Sequence, residues 1–481
     1  MFSRLRYKTR DKSILIKWKQ LSYSNTSYRM ASSVQEEGTH AKQVSSKQNE
    51  FNDGRFQPQY SWGSSIKDWI KQATVPKYSD ALVEHNLLSM LPFYPESDGK
   101  RIATVVNTPI SNGNYIHELY IENTEKPKTV TESGKEQIKD VVLVHGYAAS
   151  LGLFIDNFDA LSSIPGIRIH AIDLLGFGFS SRPTFPNFPS NTKAEVEKVE
   201  DWFIDSLEEW RQNRKLDKFI LMGHSFGGYL SCAYALKYNK NLIDAATGAT
   251  LNPVEKLVLI SPVGLERNKF SVLNNPTNEK NLQAPDVPLT REMTDNQEDI
   301  INNEISPESN RFEEEPQTKG QKLFRYLWKN NYSPFSIVRN MGPIKSKLIS
   351  RWTTHRFAHI YLSNPQQFYA MHDYIYRIFN GKGSGEFAIT RVLAVGALPK
   401  LPLLDRCPQK FADMKLPTFW MYGDKDWMNE KAGYQMTREI NQLAGSSLAK
   451  YAILPNAGHH LYLDNPTAFS KEIFNFLDFK K

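Results

Sequence analysis

Gly223-His224-Ser225-Phe226-Gly227 sets a serine between two glycines, directly after an apolar run and directly before a helical one. G-x-S-x-G in that setting predicts a strained strand-to-helix turn that lifts the Ser225 hydroxyl out of the sheet edge. Gly223 and Gly227 meet the need for small neighbours two residues to either side. A serine hydroxyl is a weak nucleophile and needs a base, and the base needs an acid to fix its tautomer. On a sheet with such a turn the acid and then the histidine follow the serine in chain order. Gly423-Asp424-Lys425-Asp426, after the apolar run ending at Tyr422, offers Asp426 as the acid and Asp424 as its alternative. Gly458-His459-His460, after the run ending at Leu454, offers His459 as general base and His460 as its alternative. Val144-His145-Gly146-Tyr147 closes another apolar run. There the amide of Tyr147 would face a developing oxyanion together with that of Phe226, each donor contributing about 2.7–4 kcal/mol to the transition state. His145 and Gly146 are expected to brace this loop. The segment Asp173 to Ser180 carries G-x-G without G-K-[ST], so it reads as a tight-turn scaffold and not as a phosphate loop. No metal-ligand cluster is legible, and the chemistry requires neither a metal nor an organic cofactor.

The elements that must hold these residues alternate. Arg101 to Asn107 and Tyr115 to Ile121 read as a hairpin around Asn112-Gly113-Asn114. Strands are expected at Val141 to Val144, Ile167 to Ile172, Phe219 to Met222 and Val254 to Ile260, with helices at Ala194 to Arg214 and Gly227 to Tyr238. The pattern then breaks and resumes as strand, helix, strand, helix at 417–422, 430–442, 449–454 and 467–477. Such alternation predicts an α/β protein with a mostly parallel sheet and helices on both faces. The expected organisation is a core in two parts, 101–265 and 412–481. They are separated by a disordered insertion at 266–320, rich in Asn, Pro, Glu and Asp, and by a helical, aromatic cap at 321–411.

The 481 residues carry a net charge of +7, which fits an anionic membrane surface or a basic targeting segment; nucleic acid is not among the expected partners. Two cysteines, Cys232 and Cys407, supply no disulfide framework. No apolar run is long enough to predict a transmembrane helix. Residues 1–35 hold eight basic residues against the single acid Asp11 and are rich in Ser and Thr, with Ile14, Trp18 and Leu21 on one helical face. That start predicts a mitochondrial transit peptide. Residues 36–100 read as a linker with an amphipathic helix over 61–75, where Trp62, Ile66, Trp69 and Ile70 share a face.

The loops around Val144 to Tyr147, Asp173 to Ser180 and Ser225, with Gly458-His459-His460-Leu461-Tyr462-Leu463-Asp464, resemble those of α/β-hydrolase-domain proteins four and five. The cap phrases Asn331-Tyr332-Ser333-Pro334-Phe335-Ser336, Gly342-Pro343 and Leu398-Pro399-Lys400-Leu401-Pro402 are similar to that subfamily, and within it to a fungal mitochondrial branch, the cardiolipin-specific deacylases. The resemblance covers roughly residues 60–265 and 321–479. It implies the α/β-hydrolase fold and a phospholipid acyl-ester substrate, in particular cardiolipin cut to monolysocardiolipin and a fatty acid. It also implies a mitochondrial place, peripheral on the inner membrane. His459-x4-Asp464 resembles an acyltransferase motif, so lysophosphatidate acylation is the competing activity; with His459 needed as the base, Asp464 is expected to anchor the loop. A non-enzymatic lipid- or partner-binding module is the third reading. The cap aromatics Trp328, Phe335, Trp352, Phe357, Phe368 and Tyr369 suit an acyl chain. Its cations, among them Arg339, Lys345, Lys347, Arg351 and Arg356, suit anionic headgroups.

Overall fold

The structure is a computed structural model. It describes residues 79–126, 138–241, 251–274 and 326–477, apart from a few single positions in the last stretch, and five earlier positions: Gly63, Ile66, Lys67, Trp69 and Ile70. The targeting segment 1–35 and residues 275–320 of the insertion expected at 266–320 lie outside the described residues. Those five early positions are helical, and Ile66 and Ile70 are exposed.

Runs of branched and aromatic residues form a sheet of eight strands: β1 (Arg101–Ile110), β2 (Asn114–Asn123), β3 (Lys139–Val144), β4 (Ile167–Ile172), β5 (Phe219–His224), β6 (Val254–Ile260), β7 (Thr418–Gly423) and β8 (Ala449–Leu454). Their order is β1-β2-β4-β3-β5-β6-β7-β8. β2 pairs antiparallel with β1 and with β4, and every other pair is parallel. The central parallel strands are buried on both faces, which is why β5 and β7 read as unbroken apolar runs. The hairpin between β1 and β2 turns on Asn112 and Gly113, both left-handed (φ 61° and 70°), as the twist of paired strands requires.

Helices α1 (Asp80–Leu88), α2 (Ile155–Leu161), α3 (Lys193–Asn213) and α4 (Phe226–Tyr238) precede the cap. The cap helices are α5 (Pro334–Arg339), α6 (Ile344–Arg356), α7 (Ala358–Ser363) and α8 (Pro365–Asn380). After them come α9 (Ile389–Val392), α10 (Cys407–Asp413), α11 (Glu430–Ala444), α12 (Leu461–Asp464) and α13 (Pro466–Leu477). α3 starts sharply because Thr192 and Glu195 form a reciprocal capping box. Among the described residues no helix is long and apolar enough to cross a membrane.

Three boundaries differ from the sequence expectation. Residues 266–274, placed with the disordered insertion, are packed: Asn268 is buried and donates to the Pro399 carbonyl at 2.9 Å, and Arg267 pairs with Asp405 and Glu439. Residues 79–100, placed with the linker, pack into the core: Leu87, Leu88, Leu91 and Phe93 are buried in one cluster with strands β2 to β4 and the cap. At the other end, α10 belongs to the layer on the sheet, not to the cap, because Cys407 and Phe411 are buried with β5, β6 and β7. The cap docks through a shared apolar cluster that joins Phe335, Trp352, Phe357 and Phe368 to Leu151, Phe154 and Phe158. Polar ties reinforce it. Within the cap, Glu386 accepts from Ser333 Oγ (2.8 Å) and from Arg339 Nη1 (2.9 Å). Arg182, on the loop after β4, donates to the carbonyls of Ile378 and Lys382 at 3.0 Å each.

Strand order reverses at β3, whose neighbours are β4 and β5, and a crevice opens at such a switch beyond the carboxyl ends. The registers level those ends: Val144 pairs with Gly223, His224 with Ile260, Ile260 with Met421, and Gly423 with Leu454. The residues next in sequence after β3, β5, β6, β7 and β8 therefore stand in one row.

Candidate active site

Ser225 sits at the turn from β5 into α4 with φ 51° and ψ −115°, a conformation that costs a non-glycine residue of order 1–3 kcal/mol. The glycines make the turn possible by close approach. A Cβ on Gly227 would lie 2.3 Å from the His145 carbonyl oxygen, and one on Gly223 would lie 2.5 Å from that of Gly227. Phe226 is the first residue of α4, so its amide has no acceptor within the helix and points out of the helix start.

The β3 loop lies against this turn, as a Cβ built on Gly146 would meet Ser225 Cβ at 3.0 Å. His145 is wholly buried and braces the loop. Its Nε2 accepts from the Leu174 amide (3.0 Å), so the proton is on Nδ1, which donates to the Gly146 carbonyl at 2.7 Å. Burial also pushes the His145 pKa down and keeps the ring neutral. Holding the Gly146 carbonyl fixes the opposed direction of the Tyr147 amide in the same trans peptide. Asp173 holds the neighbouring loop, accepting from the amides of Leu151 (2.8 Å) and Phe179 (2.7 Å).

The structure joins His459 to Asp426: Nδ1 lies 3.2 Å from Oδ1, and the Met428 amide donates to the same oxygen at 3.0 Å. Asp424 is turned away. It accepts from the amides of Ala457 and Asn456, which hold its carboxyl below the usual range, and so it shapes the loop before the histidine. His460 is buried behind His459, and burial keeps it neutral. Asp464 accepts from the Gly458 amide at 2.9 Å, so it anchors the loop and does not pair with His459. The turn and the histidine loop are joined directly, since His224 Nε2 donates to the His459 carbonyl at 3.0 Å.

Ser261 is the residue that sequence reasoning missed. It directly follows β6, has φ 46°, and is completely buried. Its hydroxyl donates to Asp426 Oδ2 and lies 2.9 Å from His459 Nδ1. Surveying the first polar residue beyond every strand, and not only the motif-bearing ones, would have found it. The row then holds a hydroxyl on a strained turn, a histidine with its Nδ1 on a carboxylate, and backbone amides at a helix start. Those are the parts of covalent acyl transfer. Among the described residues no cluster of His, Cys, Asp or Glu could hold a metal ion, and Cys232 and Cys407 are buried free thiols.

A family model described as the alpha/beta hydrolase fold matches residues 140–466. This chain belongs to the α/β-hydrolase-domain family. It is 34% identical over 350 residues to a probable 1-acylglycerol-3-phosphate O-acyltransferase of Oryza sativa, covering 72% of this chain and 69% of that one. It is 31% identical to Protein ECM18 of Saccharomyces cerevisiae, over 74% of this chain and 72% of the other. To the (lyso)-N-acylphosphatidylethanolamine lipase of Mus musculus it is 27% identical, over 74% and 86% of the two chains.

Proposed function

We propose that this protein is a serine-dependent acyl-ester hydrolase of phospholipids. The observation that carries the reading is the row of strand ends: Ser225 stands on its strained turn, and His459, paired with Asp426, lies on a loop tied to that turn by the bond from His224 to the His459 carbonyl. His459, held in one tautomer by Asp426, takes the Ser225 proton as Oγ attacks the ester carbonyl. The amides of Tyr147 and Phe226 receive the oxyanion. His459 then protonates the departing lysolipid oxygen and activates the water that frees the fatty acid from Ser225.

The finer reading is deacylation of cardiolipin to monolysocardiolipin and a free fatty acid. It is supported by the subfamily resemblance of the cap, by the basic start that suits a mitochondrial address on the inner membrane, and by relatives named for phospholipid and lysophosphatidate chemistry. The test is purified protein, wild type and Ser225→Ala, on liposomes of cardiolipin and of other phospholipids, read by mass spectrometry. Serine-dependent release of monolysocardiolipin and fatty acid is expected, with a fall of about 10⁶ in kcat for the variant. Equal release by the variant would sink the mechanism, and release from other lipids only would remove cardiolipin.

Acyl transfer to a lysolipid is the second reading, favoured by the acyltransferase names of several relatives. Against an H-x4-D dyad stands Asp464, which is bound to the Gly458 amide. Diacyl product from acyl-CoA and lysophosphatidate, surviving in Ser225→Ala, would establish that chemistry in place of hydrolysis.

A further inference from the structure

Arg356 is the last residue of cap helix α6, and its side chain is turned inward with 14% of it exposed. Nη1 donates to Asp464 Oδ1 at 2.8 Å, and the other oxygen of Asp464 accepts from the Gly458 amide, one residue before His459. A single guanidinium therefore ties the cap to the loop that carries the candidate base. Its second amino group, Nη2, is buried and has no acceptor among the described residues. Leaving a buried N–H of a charged group unpaired is costly, and such atoms call for an explanation.

The surroundings supply one. His460 Nδ1 and Tyr462 Oη are likewise buried without a partner among the described residues, as is His224 Nδ1. The three rings are mutual neighbours, with centroids 4.9 Å (His224–His460), 5.0 Å (His224–Tyr462) and 6.0 Å (His460–Tyr462) apart. Burial first keeps both His224 and His460 neutral; the Arg356 charge comes next for His460, whereas for His224 the His459 ring comes before it. The guanidinium is thus the cation of this cluster, with one arm on a carboxylate and one arm unused. A planar fork with a spare donor, bonded through Asp464 to the segment that also carries an unpaired hydroxyl (Tyr462) and imidazole (His460), is chemistry for a second, phosphate-like anion.

We propose that Arg356, with His460 and Tyr462, forms the subsite that receives the phosphate of a lipid headgroup while Ser225 attacks the neighbouring acyl ester. The proposal rests on the phospholipid reading above and names how that substrate is chosen. In a glycerophospholipid the phosphate sits on the carbon next to one that bears an ester, so a cation tied to the loop of His459 is placed to read it. The cap would then close on its own substrate, because the phosphate joins α6 to the same loop that Asp464 already joins.

The first test compares wild type and Arg356→Gln on an anionic phospholipid and on neutral diacylglycerol of the same acyl chains. The ratio of kcat/KM, phospholipid over diacylglycerol, should fall at least tenfold, chiefly through KM, with Arg356→Lys between the two. An equal fall on both lipids would make Arg356 a structural tie only and overturn the subsite. A second arm needs no turnover. Inorganic phosphate and, separately, glycerol 3-phosphate are titrated into Ser225→Ala and into Ser225→Ala/Arg356→Gln, with Tm as readout. Stabilisation of the first protein alone is expected, and greater for glycerol 3-phosphate if the headgroup is the source. No stabilisation of Ser225→Ala overturns the subsite even where lipid hydrolysis is intact. Stabilisation with no hydrolysis of any lipid by the wild type sustains the subsite and rejects the hydrolase reading.

Discussion

At the scale of single residues, His459 Nδ1 faces two acceptors, Asp426 Oδ1 at 3.2 Å and Ser261 Oγ at 2.9 Å. The Ser261 hydroxyl in turn donates to the other oxygen of Asp426, so the serine closes a ring of three groups. Such a ring fixes both the carboxylate and the imidazole before a substrate arrives, which is what a general base requires. A hydrogen bond to a charged group contributes about 1.5–3 kcal/mol. Ser261→Ala should therefore lower kcat by about 10- to 100-fold at unchanged KM. Asp426→Asn, which reverses the tautomer preference, should lower it by about 10⁴. Asp424→Asn should fall far short of that, because Asp424 bonds only backbone amides of the loop. Steady-state kinetics on one soluble ester checks all three, and a loss for Asp424→Asn as large as for Asp426→Asn would reverse the assignment. Ser225, Asp426 and His459 are legible in the sequence because each follows an apolar run and carries a motif or a glycine. Ser261 carries neither. Its role exists only because β6 lies between β5 and β7, a fact of pairing and not of local sequence.

At the scale of elements, strands and helices are legible because burial on both faces leaves unbroken apolar runs, while amphipathic helices keep their period. The charges of the cap are not legible in the same way. Arg339 and Arg356 look like lipid-facing cations in the sequence, yet both turn inward, one to Glu386 and the other to Asp464, while Arg351 is exposed. Their partners are 47 and 108 residues away, so no local pattern announces them. The helix at Asp80–Leu88 escaped notice for a related reason: its buried residues meet the cap and the sheet, not their own neighbours in sequence. Between cap and site loops the described residues leave a cavity of about 20 Å³, lined by Ala148, Phe177, Arg182, Phe335, Phe379 and Glu386. That is room for about one water and not for an acyl chain, so a lipid entering there must displace the cap helices. Glu386 governs how firmly they sit, because its carboxylate holds both Ser333 and Arg339. Glu386→Ala leaves the partly buried Arg339 uncompensated, at a cost of about 3–5 kcal/mol. The expected result is faster trypsin cleavage within 330–400, with the sheet layers still protected. Unchanged cleavage would mean that the apolar cluster, with the Arg182 and Arg356 ties, holds the cap without Glu386.

At the scale of the whole molecule, the order of the strands creates groups that no segment contains. β4 lies between β2 and β3, and this places His170 between Glu118 and Asp140. Its Nδ1 lies 2.7 Å from Glu118 Oε1 and its Nε2 lies 3.0 Å from Asp140 Oδ1. With a carboxylate on each nitrogen both nitrogens donate, and the ring is an imidazolium. Burial opposes that charge, but the bonds to Asp140 and Glu118 outweigh it and hold the His170 pKa above its ordinary value. The carboxylates have other partners as well: Arg168 on Asp140, and Trp210 Nε1 on Glu118 at 3.0 Å. Loss of His170 therefore weakens the cluster without leaving either acid bare. Linkage then sets a direction. A histidine whose folded pKa is raised gives its full stabilisation below the unfolded value of about 6.5 and loses it as pH rises through the folded value. Neither carboxylate titrates in that window in the unfolded chain, and a difference between two proteins cancels the groups that do not interact with His170. His170→Gln should thus cost about 1.5–3 kcal/mol at pH 6 and clearly less at pH 9. Urea unfolding of both proteins at the two pH values measures it. A difference that stays constant with pH would mean that His170 is neutral in the fold and that its neighbours hold it by shape alone.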